Sequence, residues 1–297
     1  MSPDPNYKPF RSSAEDFLHN YLGNIGIPIE LTPNYPVGAK SVLLTQAAAA
    51  DPGIVDKIKA SLRGGATVVV TSGLVEALAG KGFADIAEWT PTGRTVAVER
   101  YVVGAGAGAG TLVDDGTPRT PILFPEIRFY TNHSWAVVRG AGGEKAYPVV
   151  LSNDYGGGTI VMITIPQNPS DLYRLPTEVL AQMRRFIGAD LPARPVKADS
   201  RVVLFDYDNG AFVFESFRDV PTTVTVEVAA GRTLAELPSG ATLLPLIPVP
   251  SARAPAASAD TGTVPDHMGV GAAAPAAPAR FAITLPAHSF RAYRIQS

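Results

Sequence analysis

Residues 41–71 read SVLLTQAAAADPGIVDKIKASLRGGATVVVT, and this stretch decides the fold. Ser41-Val42-Leu43-Leu44-Thr45 is a short apolar run, the pattern of a buried strand. Asp51-Pro52 then supplies a cap with proline in the first helical turn. Ile54, Val55, Ile58 and Leu62 follow at helical spacing and form one apolar stripe, which Gly64-Gly65 ends. Thr67-Val68-Val69-Val70-Thr71 is β-branched at every position and reads as a second buried strand. A strand, a helix and a strand this closely connected predict parallel pairing with the helix packed on the sheet. We expect an α/β domain with a mostly parallel sheet flanked by helices.

Upstream, residues 1–36 read as an N-terminal extension with one short helix. Ser12 or Ser13 is its expected cap, Phe17, Leu18, Tyr21 and Leu22 fall at helical spacing, and Gly23 and Gly26 end it. Downstream, Thr95–Val103 reads as a strand. Pro148–Leu151 and Thr159–Thr164 look like a pair joined across Tyr155-Gly156-Gly157-Gly158. A last helix spans about Pro176–Ile187, which places the α/β domain at 37–192. Leu191-Pro192-Ala193-Arg194-Pro195 is a natural linker.

From 196 to 297 the pattern changes period and predicts a small antiparallel β-sandwich. Val202–Tyr207 and Ala211–Phe217 are joined by Asp208-Asn209-Gly210, a hairpin signal because Asn-Gly accepts positive φ at little cost. Thr222–Val228 alternates, and Phe281–Leu285 and Phe290–Ile295 supply closing strands. The stretch near 250–280, dominated by Ala and Pro, reads as a flexible insertion in this second domain.

Composition excludes several functions. The 297 residues carry a formal charge of −2 and no basic stripe, so neither DNA nor RNA is an expected partner. No apolar run approaches the roughly 20 residues a membrane span requires. Met1-Ser2-Pro3-Asp4-Pro5 lacks the basic and apolar regions of a signal peptide. There is no cysteine, hence no disulfide, thiolate metal site or sulfur nucleophile.

Candidate chemistry is sparse. Gly104-Ala105-Gly106-Ala107-Gly108-Ala109 matches a dinucleotide fingerprint, but the Asp-Asp-Gly and the prolines that follow are loop chemistry, so no cofactor is expected. Asp206–Gly210 hints at a calcium loop but lacks its liganding glutamate, so no metal site is expected either. Ser72 sits where a buried strand ends, the edge at which α/β sheets place nucleophiles; the bland reading is a turn former without a base. Glu30, Glu126 and Asp154 are loop or strand-end carboxylates of the kind glycoside hydrolysis uses in pairs, though such groups are usually solvated or capping. Asn132 and Trp135, with Tyr155, form the candidate ligand set, because an aromatic beside polar groups suits a sugar ring; against this, large aromatics mostly fill cores.

The stretch from Lys40 to Leu78, with its strand, its helix ending in Gly-Gly and its Thr-Val-Val-Val-Thr-Ser-Gly strand end, resembles class I glutamine-amidotransferase-like domains. Among these it is most similar to the trimerisation domain of bacterial β-galactosidases. Tyr155–Val161 looks like that family's late strand entry, and Phe281–Arg291 is similar to the closing strands of sandwiches at the end of such glycoside hydrolases. The resemblance implies a flavodoxin- or amidotransferase-like sheet, a homo-oligomer or a partner protein, and a carbohydrate ligand. It also implies lost glutaminase chemistry, since Ser72 stands near the family's cysteine position. The expected function is therefore a non-catalytic accessory or oligomerisation module of a carbohydrate-active system. The alternative is a stand-alone hydrolase acting on glycosides with its loop carboxylates.

Overall fold

The computed structural model describes residues 15–104, 110–113, 120–130, 134–246 and 277–296. The first part contains helix α1 (Leu18–Gly23), strand β1 (Ser41–Leu44), α2 (Ile54–Arg63), β2 (Thr67–Thr71) and α3 (Ser72–Ala77). It continues with β3 (Trp89–Val98), β4 (Arg100–Val103), β5 (Thr111–Val113), β6 (Ile122–Phe129), β7 (Ser134–Gly142), β8 (Lys145–Tyr155), β9 (Gly158–Ile163) and α4 (Thr177–Ile187).

Seven of these strands form one sheet in the order β1-β2-β9-β8-β7-β4-β5. The predicted strand–helix–strand unit is its parallel half: Val42 pairs with Val68, and Val68 with Ile160. Asp51 caps the approach to α2, its Oδ1 accepting from the Gly53 N–H at 2.9 Å, and Gly65 (φ +86°) ends it in the left-handed region. Ile54, Val55, Ile58 and Leu62 are all buried against the sheet, each contributing about 1.5–3 kcal/mol of transfer free energy.

The sheet is mixed and not mostly parallel. β9, β8, β7, β4 and β5 pair antiparallel in turn, leaving β1–β2 and β2–β9 as the parallel ladders. The reason is connection length. A parallel return needs a crossover of a dozen or more residues, whereas β8 reaches β9 through Gly156-Gly157, with Gly156 at φ +62°. The run 95–103 also divides. Up to Val98 it pairs with β6 in a separate two-stranded ribbon, and from Arg100 it joins the main sheet beside β7.

Two cores cover the two faces of the sheet. One gathers Val69, Val161, Val179, Leu180 and Met183 with Leu18, Leu22, Ile25 and Ile27, so the short N-terminal helix is part of this core. Phe17, placed on the same stripe by its spacing, is 68% exposed, and the caps expected at Ser12 or Ser13 lie outside the described residues. The other core gathers Ile58, Leu62, Val68, Val70 and Leu74 with Trp89.

The second part contains β10 (Ala193–Lys197), β11 (Val202–Asp206), β12 (Ala211–Ser216), β13 (Thr222–Val228), β14 (Thr233–Leu237), β15 (Thr242–Leu243), β16 (Ala279–Leu285) and β17 (Phe290–Gln296). They form antiparallel sheets β10-β13-β16 and β11-β12-β17-β14-β15 around one apolar core. Phe212 anchors that core, its ring 5.6 Å from Phe214 and 5.7 Å from Tyr293. The predicted hairpin is present, with Gly210 at φ +75° and Asn209 Oδ1 accepting from the Ala211 N–H. Most of the predicted Ala/Pro insertion lies outside the described residues. Among the described residues no helix is long and apolar enough to cross a membrane.

Candidate functional site

The crest of the parallel strands lies where β1, β2 and β9 end, at Leu44, Thr71 and Ile163. Ser72 is the first residue of α3 there and is buried. Its Oγ accepts a hydrogen bond from the Ile165 backbone N–H at 3.0 Å. Thr71 caps α3: its Oγ1 accepts from the Leu74 N–H at 3.2 Å and donates to Glu15 Oε2 at 2.7 Å.

Glu15 is the crest residue that sequence reasoning missed. Its carboxylate is buried and also accepts from the Gln46 N–H at 2.7 Å and the Gly73 N–H at 3.2 Å. Burial pushes its pKa up, and the hydrogen bonds from Gln46, Thr71 and Gly73 oppose that rise. Gly73 makes this approach possible, since a Cβ there would stand 2.8 Å from Glu15 Cδ. The partners are 31 to 58 positions away in the chain, so no local pattern announces them.

The other candidates stand elsewhere. Glu30 is exposed in the segment between α1 and β1. Glu126 belongs to the β3–β6 ribbon, where Arg94 Nε donates to its Oε2 at 2.7 Å and Thr92 Oγ1 at 2.6 Å. Those two bonds, Arg94's first, hold its carboxyl below the usual carboxylate range. Asp154 and Tyr155 lie at the opposite end of the sheet, where the parallel strands begin; Asp154 pairs with Thr159 and accepts from its Oγ1 at 3.3 Å. Tyr155 is met by Arg63, whose guanidinium lies 5.9 Å from the ring centroid. Trp135 pairs with Ser152 and is 47% exposed, so it does not plug the core. Asn132 lies outside the described residues. Ser72 is thus separated from Asp154 and Tyr155 by the length of the parallel strands, Trp135 stands three strands across from β2 in register with Val69, and Glu126 is engaged on the ribbon.

Of the described histidines, His19 lies on α1 and His288 meets Asp219 at 3.0 Å in the sandwich. Among the described residues no group of three or more His, Cys, Asp and Glu is arranged to hold a metal ion. A cavity of about 290 Å³ opens between the 46–50 turn, the start of α2 and the chain after α3, lined by Ala50, Asp51, Ile54, Val55, Leu78 and Lys81. Asp51 is committed there to Lys57, 2.6 Å away, and to the Gly53 N–H.

The described residues thus form an α/β part followed by an antiparallel β-sandwich. Residues 4–168, over half of the chain, match the family model described as "Uncharacterized protein SSO3021, second domain", and the chain belongs to that family. Residues 195–295 match the model described as "Probable glycosyl hydrolase, C-terminal domain". A comparison with curated protein sequences finds no match. Among solved structures the chain is similar to the β-galactosidase of Rahnella sp. R3, at 13% identity and a TM-score of 0.47 over 94% of this chain and 36% of that one. It is also similar to the β-galactosidase of the Antarctic haloarchaeon Halorubrum lacusprofundi, at 12% identity and a TM-score of 0.44 over 98% of this chain and 36% of that one. A third is Gan42B, a GH42 β-galactosidase from G. stearothermophilus, at 13% identity and a TM-score of 0.43 over 94% and 35%. The chain spans about a third of the length of these three proteins.

Proposed function

We propose that the chain is a non-catalytic accessory or assembly module of a carbohydrate-active system, its first domain an amidotransferase-like unit without a sulfur nucleophile. One observation carries this reading. The polar groups at the crest are engaged with one another: the Glu15 carboxylate takes the Gln46 and Gly73 N–H groups and the Thr71 hydroxyl, and Ser72 Oγ takes the Ile165 N–H. A nucleophile needs a base within reach and free donors for the developing oxyanion, and these donors already serve an internal carboxylate. The match of residues 195–295 to a probable glycosyl hydrolase C-terminal domain supports the carbohydrate setting. The module acts by self-association or by weak sugar contact, for which half-exposed Trp135 offers the stacking surface.

The test combines three measurements on the full chain. Light scattering is expected to show an oligomer, or a glycan array to show binding that Trp135→Ala abolishes. A panel of chromogenic glycosides and esters is expected to show no turnover. A monomer that binds no glycan overturns the proposal. Turnover lost in Glu126→Gln or Asp154→Asn at unchanged melting temperature replaces it with the hydrolase reading.

A further inference from the structure

We propose that residues 15–27 form a strap that couples the crest of the parallel strands to the junction with the C-terminal sandwich. At one end the Glu15 carboxylate is fixed by Gln46, Thr71 and Gly73. In the middle α1 is held by Leu18 and Leu22, each 1% exposed, and by the Tyr21 ring, 5.7 Å from Tyr173. At the other end the Asn24 carbonyl accepts from the Arg201 N–H at 2.7 Å, and the Ile25 carbonyl accepts from Arg184 Nε at 2.6 Å. Gly26 follows at φ +78°, where a Cβ would stand 3.1 Å from the Val202 carbonyl oxygen.

Arg184, on α4, is buried, and its remaining bonds go to the entrance of the sandwich: Nη1 to the Ala198 carbonyl at 2.7 Å and Nη2 to that of Asp199 at 3.2 Å. Burial pulls its pKa down to about 9, opposed by the nearby Asp199 charge, so it stays cationic at neutral pH. The Asp199 carboxylate in turn accepts from Thr177 Oγ1 at 3.0 Å and Thr222 Oγ1 at 3.1 Å, and Arg218 lies 3.4 Å away. One guanidinium therefore joins α4, the strap and the second domain.

A buried charge that loses its hydrogen-bond partners is costly, so Arg184 constrains the Ile25 carbonyl strongly. The packed helix between the two ends prevents Glu15 from leaving the crest without disturbing Leu18, Leu22 and the carbonyls beyond them. Opening at the crest and opening at the junction then draw on the same free energy, and the coupling acts equally in both directions.

Amide hydrogen exchange on the full chain tests this. Glu15→Ala is expected to speed exchange tenfold or more at residues 201–205 as well as near 46 and 73. Arg184→Met is expected to do the reverse, loosening 46 and 73 as well as 201–205, with Val224–Val226 unchanged in both variants. The melting-temperature losses of the double variant are expected to fall short of the sum of the single losses. If Glu15→Ala does not fold, Glu15→Gln reads the same pattern at smaller amplitude. Exchange confined to the mutated end, additive losses, or a uniform rise that includes Val224–Val226 overturns the proposal.

Discussion

Ser72 Oγ accepts the Ile165 backbone N–H at 3.0 Å, tying the residue after β2 to the residue two positions beyond β9. Both groups are buried, and the hydroxyl stands in for the ladder partner that the end of the sheet no longer supplies. Ser72→Ala leaves that N–H without its acceptor, and the expected loss is about 1–3 kcal/mol of unfolding free energy. Urea unfolding checks it. A Ser72→Ala protein as stable as the parent would show that water replaces the hydroxyl.

Glu15 makes stability depend on pH with a sign opposite to that of most carboxylates. Its folded pKa lies above the ordinary glutamate value because burial disfavours the charge. Between the unfolded and the folded pKa the native state binds the extra proton, so this group's contribution is full below the unfolded value and is lost as pH rises through the folded one. Glu15→Gln removes that dependence. The stability of the parent relative to Glu15→Gln is expected to fall as pH is raised above about 4.5, as read by denaturation at matched ionic strength. A flat difference would show that the carboxyl titrates normally.

The readable parts of the fold are those written locally. Val68, Val69 and Val70 declare a strand, and Ile54, Ile58 and Leu62 a helix face, because side-chain period and backbone geometry are the same information. The chain's change of sheet between Val98 and Arg100 is not written in that way. No glycine or proline punctuates the run 95–103, and the switch shows only in the long-range pairing of Arg100–Val103 with β7. The position of Ser72 at a strand end is legible from its neighbours alone, since Thr67–Thr71 is the strand that precedes it. That of Glu15 is not, since a lone glutamate before a short helix looks like a solvated first-turn acid until residues 46, 71 and 73 are brought to it. The alternative of a hydrolase using loop carboxylates rests on residue type without register, and Asp154 and Ser72 fall at opposite ends of the same sheet.

Gly158 tests how tightly α2 lies on β9. A Cβ at this position would stand 2.9 Å from Leu62 Cα and closer still to the carbonyl oxygens of Leu62 and Ala66. All three are backbone atoms at the end of α2 and the start of β2, so none can swing aside. Gly158→Ala is expected to destabilise by roughly 1–3 kcal/mol, the range for overpacking a filled site. Thermal unfolding gives the number, and an unchanged midpoint would mean that the helix can lift from the strand.

Glu227 gives the sandwich one acid-sensitive contact. It lies at the centre of an Arg194–Glu227–Arg280 row across β10, β13 and β16, bonded to Arg194 and, at 3.0 Å, to Arg280. Burial alone would raise its pKa, but the bonds from the two guanidinium groups outweigh it and hold the carboxyl below the usual range. The sign is then the reverse of that at Glu15. The stabilisation is full above the unfolded pKa and is lost as pH falls through the folded one. Glu227→Gln is expected to cost stability at pH 7 and to narrow the gap to the parent as the solution is acidified. Salt should weaken the exposed Arg280 arm of the row more than the Arg194 arm, because the Arg280 side chain is 58% exposed and that of Arg194 25%. Parallel stability curves for parent and variant from pH 7 down to pH 3 would show that the row contributes packing and no charge interaction.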